Sequence, residues 1–155
     1  MGLFNAPRIY PRIYQPYLEQ FNFYDGREQW LRSINIIPEK AVNLFSLHWL
    51  HAEVYNGGFW QYFFNSTGNS APEAIRGFAA IGMPKVSLLI TSAMAEFGKT
   101  YPGSKEVRRE MLENFEPEMD FSEFDKQFYD MADTPKFFRR LPKFVPFADC
   151  YAMKA

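Results

Sequence analysis

Cysteine is nearly absent from the 155 residues: Cys150 stands alone, so no internal disulfide can form and a reducing compartment is the natural setting. Long apolar runs are missing too. None approaches the roughly 18 residues that a membrane helix needs, and the N-terminus has no apolar signal-peptide core, so no membrane association and a cytoplasmic location are expected. Neither charge sign dominates. Seventeen basic against eighteen acidic side chains leave −1, too even a balance to mark a surface for direct nucleic-acid binding. Histidine is limited to His48 and His51. Cys150 has no histidine neighbour, no serine occupies a strained Gly-flanked elbow, and Gly57-Gly58 is not followed by the Lys and Ser/Thr of a phosphate-binding loop. Enzymatic chemistry therefore has no positive signal, and no cofactor is implied.

Aromatic residues are plentiful instead, with 17 Phe, 9 Tyr and 3 Trp in a chain that is 47% hydrophobic. That supply suits one globular domain burying roughly two thirds of its unfolded surface. No stretch alternates as a strand would, and helical spacing recurs throughout, so the fold class expected is all-α, with about seven or eight helices. Residues 1–18 carry the doubled Pro-Arg-Ile-Tyr and then Pro16; prolines at this spacing predict an extended arm, lying along the domain or exchanged in a homodimer, ahead of a single helical domain over 19–155. Trp30, Leu31 and Ile34 mark a first helix. Pro38 opens a stronger one bearing Ala41, Phe45, Trp49 and Ala52. Ser70 with Glu73 reads as a capping box, and Pro84 starts a core helix bearing Val86, Leu89, Ile90 and Ala93. Ser104 is expected to cap a helix that turns Val107, Met111, Leu112 and Phe115 inward. Asp120 and Glu123 would box the start of the next. Pro142 and Pro146 suggest short broken helices in the tail.

The stretch Glu53 to Gly68 is the most distinctive. Asn56 and Gly57 suit the left-handed position that ends a helix, and Gly58 lets the chain restart at once, so a sharp corner is expected there. Phe59, Trp60, Tyr62, Phe63 and Phe64 are too apolar to be left in water and should clamp that corner into a core. Glu53 and Gln61 fall where free backbone N–H groups want acceptors.

Closed by Asn65 and Gly68, this run resembles the signature of the DNA-mimic-protein family, a small all-helical bacterial domain. The similarity extends over about residues 29–151, including an Ala74–Gly82 block and a Phe124–Tyr129 block of the family's usual kind. Glu53, Asn56, Gly57, Gly58, Phe59, Gln61, Tyr62, Phe63 and Asn65 match the pattern position by position; capping, turning and packing at the corner is their expected role. The resemblance implies a non-enzymatic protein that imitates the charge pattern of DNA and occupies a DNA-binding protein, and hence a part in transcription regulation.

A surface for such a partner is offered by the segment from Glu106 to Asp133, where ten carboxylates face only Arg108, Arg109 and Lys126. Glu106, Glu110 and Glu113 fall on one helical stripe, with carboxylates recurring about every 5–6 Å along the axis, comparable in scale to a phosphate row. Glu116, Glu118, Asp120 and Glu123 extend the acidic set, and the cations Lys136, Arg139, Arg140 and Lys143 that follow could neutralise it. A different chemistry is open to His48 and His51, which three residues apart can share a helix face and a metal; Glu53, displaced by about 200° from His51, does not converge with them. A metal there would need a third ligand from elsewhere.

Overall fold

The computed structural model describes residues 8–133 and 141–155. Lys136, Arg139 and Arg140 lie outside these, as do the first seven residues of the N-terminal segment.

Eight α-helices follow one another among the described residues, with no strand: α1 Pro11–Tyr14, α2 Arg27–Ile34, α3 Glu39–Phe64, α4 Ala71–Ala80, α5 Pro84–Ala95, α6 Lys105–Asn114, α7 Ser122–Ala132 and α8 Phe144–Met153. Short 3-10 turns occupy Gln15–Tyr17 and Ser66–Ser70. The all-α expectation holds. α3 is the axis of the fold, because its apolar residues do not form a stripe: Ala41 through Leu47, Leu50, His51 and Val54 are all buried, which demands neighbours on every side. α4 lies closest. A Cβ at Gly77 would stand 2.5 Å from the Asn43 carbonyl oxygen, so glycine there lets the two helix backbones meet.

Two expectations from proline are corrected. Residues 11–17 are not extended, since Pro11 takes the first-turn position of α1, where a missing N–H costs nothing. The Asp149 carboxylate of α8 accepts the N–H groups of Ile9 (2.9 Å) and Tyr10 (2.8 Å), holding this turn on the domain, and Tyr10 is fully buried. In the tail, Pro146 lies in the first turn of α8, so Phe144 to Met153 form one unbroken helix. Ser70 and Glu73 do not make a capping box either. The Glu73 carboxylate accepts from Arg27 (2.6 Å) and from the Trp30 indole N–H (3.0 Å), a buried network that ties α2 to α4.

Between α1 and α3, His48 Nδ1 shares a hydrogen bond with the Tyr10 hydroxyl (2.8 Å) and its ring meets Tyr14 and Trp49. Burial, reinforced by the nearby His51 and Arg8, lowers its pKa to about 4. The folded state thus resists a proton that the unfolded chain accepts near pH 6.5, so this group's contribution is whole above that pH and declines as the pH falls toward 4. The expected loss is up to about 3 kcal/mol. Urea midpoints at pH 7 and pH 4.5 check it: wild type should lose more stability between them than His48→Gln, which has nothing to titrate.

Candidate functional site

Gly57 (φ −149°, ψ 17°) and Gly58 (φ 77°, ψ −180°) leave helical geometry, so α3 is two helices, 39–56 and 59–64, meeting at an elbow. The residue with positive φ is Gly58, not Asn56 or Gly57 as the sequence suggested. The restart needs an acceptor for its first N–H groups, and Asp125 of α7 supplies it, its Oδ1 accepting from the Phe59 N–H at 2.7 Å.

The polar signature residues bond one another across this elbow. Glu53, from the first arm, accepts from Gln61 Nε2 (2.6 Å), Asn65 Nδ2 (3.1 Å) and Thr67 Oγ1 (2.9 Å) beyond the bend. Asn56 Nδ2 donates to Gln61 Oε1 (3.3 Å). Phe59, Tyr62 and Phe63 are fully buried beneath, with Phe63 meeting the rings of Phe97, Tyr101 and Phe121. One carboxylate on one arm and three donors on the other hold the bend angle while the aromatic rings anchor it.

α6 packs on the end of α3 in a way the sequence did not disclose. Arg108 is fully buried: its Nε donates to the Phe63 carbonyl (2.8 Å), one terminal nitrogen to Asn69 Oδ1 (3.0 Å) and the Pro102 carbonyl (3.1 Å), the other to the Asn65 carbonyl (3.2 Å). A guanidinium fits because it carries five fixed donors into a place where a helix has run out of partners for its last carbonyls, at the negative end of the helix dipole. Arg108 and Leu112 therefore form the inner face of α6, Met111 is half-buried, and Val107 and Phe115, expected inside, are 44% and 47% exposed. A helix rule that places apolar residues inward and charge outward misses Arg108; its only trace in the sequence is its i, i+4 alignment with Leu112.

The other cations of α6 turn the same way. Arg109 donates to the Phe64 carbonyl (2.9 Å) with its guanidinium carbon 4.2 Å from the Phe64 ring, and Lys105 Nζ donates to Ser66 Oγ (3.3 Å). At about 100° per residue, Glu106, Glu110 and Glu113 lie within about 60° of one another on the outer side. All three are exposed, as are Glu116 and Glu118 in the connection to α7, Asp120 before it and Glu123 in its first turn. None forms an ion pair among the described residues. Lys143, the described member of the basic group that follows, donates instead to the Asp130 carbonyl (2.6 Å). The Ser122 hydroxyl and N–H hold the Asp120 carboxyl below its usual range, and Glu106's own backbone N–H and the Ser104 hydroxyl do the same for Glu106.

His48 and His51 are engaged separately, the first with Tyr10, the second with Nε2 3.4 Å from Asp133 Oδ2 and its ring against Phe144 (4.6 Å). The shared metal site considered for them is not formed. No group of three His, Cys, Asp or Glu able to hold a metal occurs among the described residues, and no described helix is long and apolar enough to cross a membrane.

An aromatic elbow clamped by its own polar residues, and an outer face of exposed carboxylates on a helix whose own cations bond to the end of α3 and the turn after it, define a small all-helical protein with an acidic surface. Residues 36–146 match the DMP19-like protein family, and the chain belongs to it. Comparison with curated proteins and with solved structures gives no match.

Proposed function

We propose that this protein acts by binding another protein, and that the outer edge of α6 with the following acidic connection imitates the phosphate charge of DNA toward a DNA-binding partner. Family membership supports the reading, and one observation carries it: Glu106, Glu110 and Glu113 are exposed in a row while Lys105, Arg108 and Arg109 of the same helix are directed to the end of α3 and the turn after it. Near-neutral overall charge is no obstacle, because the field that a partner meets at close range is set by charges within about a Debye length, 8–10 Å. Exposed Val107 beside the row and exposed Phe115 just past the end of α6 add apolar contact area.

Affinity capture followed by displacement with duplex DNA tests it. The captured partner should bind duplex DNA by itself, be released from this protein by added duplex, and be held about tenfold less by Glu106→Gln/Glu110→Gln/Glu113→Gln, with capture weakening as salt rises. Undiminished capture by the triple variant, or a partner indifferent to duplex DNA, would overturn the reading.

A further inference from the structure

Beside the acidic row, the elbow and the start of α7 enclose a recess of about 310 Å³. Trp60 walls it, with Met119 and Phe121 adding apolar surface, and Glu118, Asp120 and Asp125 bring three carboxylates to it; no Lys or Arg lines it. Two of these carboxylates have one oxygen occupied: Asp125 Oδ1 caps Phe59 and Asp120 Oδ1 accepts from the Ser122 N–H and hydroxyl. Their second oxygens, and both oxygens of Glu118, accept no hydrogen bond among the described residues. Asp125 is half-buried, and that burial raises its pKa against the lowering effect of the Phe59 N–H, so its charge is poorly solvated where it stands. Trp60, stacked on Phe64 (4.8 Å between centroids), is held as a fixed wall.

A concave site with an indole wall, carboxylate oxygens that no protein donor occupies and no internal counter-charge is complementary to a planar cation. We propose that this recess receives an arginine side chain of the protein partner, the guanidinium lying against Trp60 and donating to Glu118 and Asp120. Arginine fits better than lysine because a flat guanidinium stacks on an aromatic face while its edge donors reach carboxylates, whereas a lysine ammonium is a compact, strongly hydrated point charge. The same chain already uses this contact internally, with Arg109 over Phe64 and Arg108 over Tyr101. The partner as source of the arginine rests on the protein-binding reading; the recess itself is testable on the isolated protein.

The probe is the capped tripeptide acetyl-Gly-Arg-Gly-amide, with its citrulline counterpart as a neutral match of the same shape. In ¹⁵N-labelled protein the Trp60 indole N–H signal, identified by its loss in Trp60→Phe, should move saturably in the millimolar range with the arginine peptide and stay still with citrulline. Glu118→Gln/Asp120→Asn should abolish the shift; Asn at 120 keeps the oxygen that accepts from Ser122, so the start of α7 is left in place. An unmoved Trp60 signal, an equal response to citrulline, or a response confined to residues 106–113 would overturn the recess while leaving the acidic-row reading to its own test. Undiminished capture by the triple Gln variant, with the Trp60 response intact, would remove the DNA-imitation reading and leave the recess standing.

Discussion

Arg108→Met is expected to destabilise the protein by about 3–5 kcal/mol, seen as a lower urea midpoint at unchanged slope and a fall in Tm on the order of 10 °C. Methionine reproduces much of the stem's volume, so the loss does not come from a cavity. It comes chiefly from the Phe63 carbonyl and Asn69 Oδ1, which lose a donor in a buried place, and from the part-buried Pro102 carbonyl; the Asn65 carbonyl keeps the Gly68 N–H. Each orphaned acceptor costs about 1–3 kcal/mol, less than additively because the loosened end of α3 can relax toward water. Arg108→Lys should fall between, since an ammonium keeps the charge but cannot span three acceptor directions at once. Arg109→Met is the matched control, one position along and half-exposed, and should cost only about 1 kcal/mol. Equal effects at 108 and 109 would show that the buried guanidinium does not hold the two helices together.

Gly58→Ala should cost about 2–4 kcal/mol, from two separate causes. At φ 77° and ψ −180° the backbone occupies a region essentially closed to residues with a Cβ, and the added methyl would lie 2.4 Å from Asp125 Oδ2. Moving Asp125 aside to make room sacrifices its hydrogen bond to Phe59, worth about 1 kcal/mol as a helix cap. The two causes separate in a double-mutant cycle with Asp125→Ala. Backbone strain persists in that background while the clash and the cap are already gone, so Gly58→Ala should cost less there than in wild type. Strict additivity would mean that Asp125 and Gly58 do not meet.

Both predictions concern the scaffold beneath the acidic row, which makes them controls for any binding result. Arg108 sets where α6 lies on the end of α3, and Asp125 ties α7 to the elbow; a variant that loosens either displaces carboxylates that it does not touch. The Glu→Gln changes at 106, 110 and 113 lie on exposed positions and avoid that ambiguity.

The helices and the bend were legible because local chemistry dictates them. Apolar spacing marks α5, and proline and glycine punctuate α3 and α5 whatever surrounds them. Acidic residues on the outer side of α6 were legible for the same reason, as were the aromatic residues that had to be buried near the elbow. Harder were the places where one side chain answers another's unmet need. Glu73 has the spacing of a capping box, yet Arg27 and Trp30 offer it two charge-assisted or buried donors, which outweigh a local bond at a helix start. Pro11 resembles a helix breaker until Asp149, from the far end of the chain, caps the turn that it begins.

By itself, then, the order of residues determined the all-helical class, the positions of most helices, the elbow at 57–58 and the family, since each depends on near neighbours along the chain. Tertiary structure decided which face of α6 is inside. That choice was closed to the sequence because the deciding quantity is the number of unsatisfied carbonyls at the end of α3, some 45 residues away, and only folding brings them to Arg108. The acidic row owes its exposure to the same event: with Arg108 and Arg109 directed to α3, the carboxylates on the other side of α6 face outward and none of them is held in an ion pair by a cation of its own helix.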